Sequence, residues 1–111
     1  MSTQYGDKLY LVTRTDLPAG QRAVQAAHAL RSFVEAHPEA DREWFQASNH
    51  LAILEVPSET NLKRLLEKAR FSGFPTAEFR EPDRGDELTA IALGPSAKKL
   101  CKSLPLALQS V

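Results

Sequence analysis

The stretch Lys8-Leu9-Tyr10-Leu11-Val12-Thr13-Arg14, followed directly by Thr15-Asp16-Leu17-Pro18-Ala19-Gly20, decides the fold of this chain. Its first part is β-branched, aromatic and aliphatic with little polarity, which is typical of a central strand buried on both faces. Its second part has the Asp, Pro and Gly residues of a turn that leads into a helix. Together they predict a strand followed by a long helix.

The helix predicted after Gly20 extends to about residues 37–38 and has two stripes. The apolar stripe consists of Ala23, Ala27, Leu30 and Val34. The polar stripe consists of Gln21, Gln25, His28 and Ser32. Small alanines let a helix lie close to a sheet, so we expect the apolar stripe to face the sheet and the polar stripe to occupy a different face.

The middle of the chain predicts a second strand and a second helix. Residues 41–47, which include Trp44, predict a short helical turn before a strand over residues 51–56. Ser58 is the expected N-cap of the next helix, which ends near Gly73.

The last third predicts a hairpin and a final helix. Residues 76–80 and 88–93 are the expected strands, and the tight turn of residues 82–86 joins them, so we expect them to form a hairpin. Ser96 is the expected cap of the final helix, which bears Lys98, Lys99 and Lys102.

This order of elements predicts the fold class α/β. We expect residues 1–111 to form a single three-layer α/β/α domain, with helices on both faces of a small mixed four-stranded sheet, because a strand-helix-strand unit favours a right-handed parallel crossover. No apolar run approaches the ~20 residues of a membrane span. The N-terminus lacks the pattern of a signal peptide, and the lone Cys101 cannot form an intramolecular disulfide, so we expect a cytoplasmic protein.

The charge of the chain is balanced, with 14 Lys and Arg against 14 Asp and Glu. No long-range field steers the whole molecule toward nucleic acid, so any polyanion must meet a local basic face. Lys98, Lys99 and Lys102 with Arg70 could form such a face for nucleic acid, although residues of this kind are more often simply solvated. Both alternatives stay open at this point.

Two linked motifs connect the chain to a known family. Arg14-Thr15-Asp16-Leu17, a glycine, and then Gln25-Ala26-Ala27-His28-Ala29 resemble the Arg-x-Asp-Leu and Gln-x-x-His-Ala signature of the type 2 peptidyl-tRNA hydrolases. The family's Asp-Ala-Gly element, its threonine, its Ile-Gly-Pro ending and its tryptophan have counterparts in Asp83-Arg84-Gly85, Thr89, Leu93-Gly94-Pro95 and Trp44. The resemblance therefore follows nearly the whole chain in order.

The chain departs from the family in two places. The lysine-rich Gly-Lys-Gly-Lys entry to the first helix is here Gly20-Gln21-Arg22, without the family's catalytic-site lysine. The family's longer Thr-Gln loop is reduced to Asp86-Glu87-Leu88, so a substrate-facing threonine is also missing.

The resemblance implies hydrolysis of the ester between a peptide and the 3′ end of tRNA, with peptidyl-tRNA or another acylated RNA as partner and no metal or organic cofactor. The catalytic residues it implies are Asp83, Thr89 and His28. The substrate-binding residues it implies are Gln21, Arg22, Gln25 and Arg14. Asp83 would hold or activate the water, Thr89 would donate a hydrogen bond, and Gln21 or Arg22 would replace the lysine.

These residues can come together only if the strands of the sheet have a particular order. Asp83 and Thr89 can meet the start of the first helix only if the fourth strand begins where the first strand ends. We therefore predict that strands one and four are adjacent and antiparallel.

Each candidate also has a structural alternative. In these alternatives Asp83 caps its own turn, Thr89 is an ordinary strand residue, and His28 makes a structural hydrogen bond. The histidines at 28, 37 and 50 have no ligand spacing with one another or with Cys101, so a zinc site lacks support. We expect Cys101 in the core and Trp44 as a packing anchor.

Two rival functions follow from the departures. One rival is a non-catalytic module that keeps the fold to bind RNA or a protein, and the other is a hydrolase or transferase for a small metabolite. The oligomeric state stays open, including a homodimer formed through an exposed edge strand.

Overall fold

The computed structural model describes residues 7–109 of the chain. Its strands are β1 (Lys8–Arg14), β2 (His50–Val56), β3 (Thr76–Glu81) and β4 (Glu87–Leu93). Its helices are α1 (Ala19–Ala36), α2 (Pro38–Ala47), α3 (Glu59–Phe71) and the single turn α4 (Lys98–Cys101), with short 3₁₀ turns at Pro82–Arg84 and Pro95–Ala97. No helix in this part of the chain is long and apolar enough to cross a membrane.

The four strands form one mixed sheet in the order β2-β1-β4-β3. β1 is parallel to β2 and antiparallel to β4, and β3 and β4 form the predicted hairpin. The prediction that strands one and four are adjacent and antiparallel is confirmed, with Thr13 of β1 opposite Ala90 of β4. The end of β1 and the start of β4 therefore lie side by side.

Helices cover both faces of this sheet because β1 alternates between two cores. Leu9 and Leu11 pack with α1 and α2, while Tyr10 and Val12 pack with α3 and α4. The sheet is thus the middle of three layers, as the element order predicted. Trp44 and Cys101 are buried, one in each core, which confirms the structural interpretation of both.

The buried stripe of α1 differs from the predicted one. Ala23 and Ala27 are exposed, whereas Leu30 is partly buried and packs against the core as predicted. The buried residues of the helix are Gln25, Ala26, Ala29 and Phe33. Alanines occur on several sides of this helix, so they do not identify the inner face, whereas the single large Phe33 does. Gln25, which we predicted to lie on a polar face, is buried.

Three smaller expectations were also tested. Ser58 caps α3, as predicted, by accepting from the Asn61 backbone N–H. The helical turn around Trp44 is longer than predicted because Pro38 occupies the first turn of α2, where its missing N–H costs nothing. Ser96 does not cap α4: it lies in the 3₁₀ turn before the helix, and no side-chain cap is present.

The β3–β4 hairpin contains an irregularity that shapes the site. Phe79 is opposite Ala90 but Arg80 is opposite Leu88, so Thr89 is an extra, bulged residue. The connecting turn closes through Gly85 and Asp86, with φ of 65° and 62°. Such values suit glycine and are tolerated by aspartate, so the turn is tight and sharply defined.

Candidate active site

A chain of buried polar side chains lies between α1 and the β3–β4 hairpin. The Thr13 hydroxyl donates to the Thr89 carbonyl at 3.1 Å, and the Thr89 hydroxyl lies 3.0 Å from the Gln25 side-chain oxygen. The Gln25 amide nitrogen then donates to a Glu81 carboxylate oxygen at 2.9 Å. Thr13, Thr89 and Gln25 are at most 3% exposed, so these hydrogen bonds are made away from water.

The direction of this chain follows from Glu81. An ionised carboxylate only accepts hydrogen bonds, so the Gln25 amide must turn its NH₂ group toward Glu81 and its oxygen toward Thr89. The Thr89 hydroxyl also lies 3.3 Å from the Phe79 carbonyl, but it has one proton and donates it to one acceptor at a time. Gln25 therefore joins the bulge of β4 to the end of β3.

Glu81 also fixes the turn that bears Asp83. One of its carboxylate oxygens accepts from the Asp83 backbone N–H at 3.3 Å, and its carbonyl accepts from the Asp86 N–H at 2.9 Å. The hydrogen bond from Gln25, followed by that from the Asp83 N–H, lowers the pKa of Glu81 below its ordinary value. Glu81 is therefore ionised near neutral pH and holds the backbone of the turn, with Pro82 restricting φ.

The Asp83 side chain itself is exposed. Among residues 7–109 its carboxylate has no hydrogen bond or ion pair, and the turn is capped by Glu81 instead. The alternative in which Asp83 caps its own loop is thus not what the geometry shows. A carboxylate with free lone pairs on a rigid turn is available to bind a water or a substrate hydroxyl.

Arg14 joins the end of β1 to the start of β4. Its guanidinium donates two parallel hydrogen bonds to Asp16, at 2.9 and 3.0 Å, and further ones to Glu87 and to the Leu88 carbonyl. The Asp16 hydrogen bonds raise the pKa of Arg14, and the same bonds lower the pKa of Asp16. Because Arg14 is only 5% exposed, these charge-assisted bonds fix two strand ends against each other.

The start of α1 presents its polar residues in two directions. Gln21 is exposed and one turn before Gln25, so the two share a helix face, and His28 lies one turn further on. The His28 ring stacks on Phe79 of β3, with centroids 4.3 Å apart and an angle of 17° between planes. This face of α1 is therefore directed toward the β3–β4 hairpin.

Arg22 is directed toward the opposite edge of the sheet. Its guanidinium donates to the Leu17 carbonyl at 2.8 Å and to Glu55 of β2 at 3.1 Å. β2 and β3 are the two edge strands, so Arg22 and the Gln25–Glu81 contact lie on opposite sides of β1 and β4.

The structure thus places Gln25, His28 and Thr89 at the β3–β4 hairpin, whose turn bears Asp83. Gln21 is exposed one turn before Gln25, and Arg14 holds the start of β4. Sequence reasoning missed Glu81, for which no local signal exists, since it becomes important only through contacts with α1 and its own turn. Within residues 7–109 no group of three or more His, Cys, Asp or Glu side chains is placed to hold a metal ion.

The chain is similar to known proteins in sequence and in fold. The family model described as peptidyl-tRNA hydrolase PTH2 matches residues 7–110. A peptidyl-tRNA hydrolase of Methanocaldococcus jannaschii is 32% identical over 98 residues, a match that covers 79% of this chain and 85% of the relative. A solved structure of a protein of unknown function from Agrobacterium tumefaciens strain C58 has a TM-score of 0.67 at 13% identity, covering 93% of this chain and 98% of that one, a likeness of fold alone.

The family match extends over every element that builds the site, and the archaeal relative covers most of the chain. The predicted resemblance is confirmed: this chain belongs to the peptidyl-tRNA hydrolase PTH2 family.

Proposed function

We propose that this chain hydrolyses the ester that joins a peptide to the 3′ ribose of tRNA, with Asp83 as the base that activates water. The observation that supports it is the free, exposed carboxylate of Asp83 on a turn whose backbone is fixed by Glu81. Membership of the PTH2 family supports this reaction. The polar residues of α1 and of the β3–β4 hairpin form the site at which we propose it takes place. A protein that clears peptidyl-tRNA would act in the cytoplasm, where translation takes place.

The proposed reaction is an ordinary addition and elimination. The water oxygen bonds to the ester carbonyl carbon while one water proton passes to the Asp83 carboxylate. The tetrahedral intermediate then breaks its bond to the ribose oxygen, which takes that proton back from Asp83. The products are the free peptide acid and tRNA with an intact 3′ hydroxyl, and Asp83 is again a carboxylate.

Stabilisation of the oxyanion falls to the start of α1. Gln21 lies on the same face as Gln25 and is exposed, so its amide NH₂ can donate to the developing negative charge, together with the free N–H groups of the first helical turn. Arg22 is the weaker candidate for the lysine's place because Leu17 and Glu55 already hold its guanidinium.

The buried residues have a supporting role in this proposal. Thr89 is 0% exposed, so it acts by holding Gln25 in place and not by touching the substrate. Arg14 is likewise saturated by acidic partners and acts by fixing the two strand ends. His28 is exposed beside Asp83's hairpin, where its ring can contact the 3′-terminal nucleotide.

The test is steady-state release of the acyl group from N-blocked aminoacyl-tRNA by the wild type, Asp83→Asn and Asp86→Asn. Asp86 is the matched control because it is exposed in the same turn, and Asn tolerates its positive φ. We expect kcat to fall about 10²–10⁴-fold in Asp83→Asn and to change less than about threefold in Asp86→Asn. An unchanged kcat in Asp83→Asn would show that Asp83 is not the base that activates water.

A second candidate function is a non-catalytic RNA-binding module. One observation favours it: an uncharged Gln21 amide lies at the α1 entry, where the family has lysine. This candidate predicts that the wild type binds tRNA but releases no acyl group at any enzyme concentration.

A further inference from the structure

The cations of the chain are distributed unevenly between paired and unpaired positions. Of the 14 Lys and Arg residues, seven form ion pairs within residues 7–109: Arg14, Arg22, Arg31, Lys63, Arg70, Arg80 and Arg84. That leaves seven without an ion pair in this range, and five of these belong to α3 or to α4 and its C-cap: Arg64, Lys68, Lys98, Lys99 and Lys102. All five are exposed.

An exposed aromatic side chain lies within this cationic surface. Phe71, the last residue of α3, is 95% exposed. It borders a shallow groove lined by Arg64, Glu67, Lys68, Phe71, Ser72 and Leu100, which we call the α3–α4 groove. Glu67 is the one carboxylate of the lining, so the positive charges of α3 and α4 outnumber it.

The α3–α4 groove extends away from the candidate active site. The first residue of α3, Glu59, accepts a hydrogen bond from the Leu88 N–H at 2.9 Å, at the end of β4 that adjoins the Asp83 turn. At the other end, the Gly94 N–H donates to the Pro75 carbonyl, so the chain that follows α3 meets the end of β4. At ~1.5 Å per residue, Arg64 lies roughly 8 Å and Phe71 roughly 18 Å along α3 from Glu59.

We infer that the α3–α4 groove binds the RNA of the same tRNA whose 3′ ester is cleaved at Asp83, an inference that rests on the proposed function. RNA that reaches Asp83 with its 3′ end has to continue along the protein surface, and α3 begins beside that point. Unpaired Lys and Arg side chains contact phosphates, and an exposed aromatic ring stacks on an unpaired base. The groove supplies both in a chain whose net charge is zero.

The test compares two substrates that differ only in the extent of RNA. One is full-length N-blocked aminoacyl-tRNA, and the other is a short oligonucleotide with the same acylated 3′ end. The variants are Arg64→Gln with Lys68→Gln, and Phe71→Ala. The matched control is Lys8→Gln with Arg42→Gln, two exposed cations of β1 and α2 that form no ion pair within residues 7–109. Thermal melting of each protein establishes that it is folded.

We expect both groove variants to raise KM for full-length tRNA about tenfold with kcat unchanged, and to leave the short substrate unaffected. The variant that carries both Arg64→Gln and Lys68→Gln should also lower the slope of log KM against log salt by about 1.4–1.8, because two phosphate contacts are lost. The control variant should match the wild type on both substrates. Equal changes for the two substrates, or no change for either, would overturn the inference.

Binding of uncharged tRNA to the same proteins separates this inference from the proposed function. Loss of binding in the groove variants without turnover in the wild type keeps the groove and rejects the hydrolase. Turnover in the wild type with tRNA binding unaffected by the groove variants keeps the hydrolase and rejects the groove. A groove variant that binds tRNA normally but loses affinity for an acidic peptide would assign the surface to a protein partner and also reject the inference.

Discussion

Replacing Thr89 by valine removes one hydroxyl from the buried chain with almost no change of shape. Gln25 is 3% exposed, so its side-chain oxygen would lose its donor and could not find water. A buried acceptor left without a partner costs about 1–3 kcal/mol of stability. For a chain of this length that corresponds to a fall of roughly 4–13 °C in Tm.

The assay for this variant is urea unfolding together with kcat and KM on N-blocked aminoacyl-tRNA. Loss of the Thr89 hydroxyl frees Gln25 and, through it, Glu81 and the Asp83 turn, so we expect kcat to fall roughly 10–100-fold with KM nearly constant. Thr89→Ser restores the hydroxyl and should recover most of the lost kcat.

The matched control is Thr13→Val. Thr13 is equally buried, and its removal leaves the buried Thr89 carbonyl without this donor, so a similar loss of about 1–3 kcal/mol is expected. The Thr89 hydroxyl and Gln25 stay in place in this variant, so kcat should be normal. The reasoning is refuted if the two valine variants lose equal activity, or if Thr89→Val has the activity of the wild type.

Two further predictions concern ionisation. The hydrogen bonds from Arg14 lower the pKa of Asp16, so this pair stabilises the fold above the unfolded-state pKa of ~3.9 and is lost as the pH falls through the folded-state value. Asp16→Asn should therefore be less stable than the wild type at pH 7 and lose less stability between pH 5 and 2, as measured by urea midpoints; parallel curves would contradict this. Burial raises the pKa of the Cys101 thiol to about 11. Native protein at pH 8 should therefore react with a thiol reagent far more slowly than protein in urea, and equal rates would be inconsistent with a buried Cys101.

Much of the fold was predictable because its signals are local. The run from Lys8 to Arg14 is hydrophobic in both of its alternating faces, and that pattern requires a strand covered by helices on both sides. The short link between β3 and β4 permits only a hairpin. The need to bring Asp83 and the start of α1 together then fixed the neighbour of β1, and the sheet order agrees.

Other features depend on contacts that the sequence does not display. By its polarity, Gln25 is expected at the surface. It is buried because Thr89 of β4 and Glu81 of β3 form hydrogen bonds with its side-chain amide. The bulge at Thr89 arises from the register of the hairpin, and no residue type in the hairpin predicts that register. The same reason explains why Glu81, a charged residue at a strand end, was not recognised as part of the site.

The positions of the predicted site residues can be compared with the structure, while their membership of an active site stays a prediction. The motifs identified Gln25, His28, Asp83 and Thr89, and the structure places these four around the β3–β4 hairpin. Arg22 could not be distinguished from Gln21 by sequence, because adjacent helical residues point about 100° apart and only the fold decides which one faces the hairpin.

The most direct test of the central claim measures tRNA binding and the chemical step on the same proteins. Wild type and Asp83→Asn are each held in excess over N-blocked aminoacyl-tRNA, and binding and single-turnover release are followed together. The account predicts equal affinity for the two proteins and release at least ~100-fold slower in Asp83→Asn. Equal release rates, or tight binding by the wild type with no release at all, would contradict it.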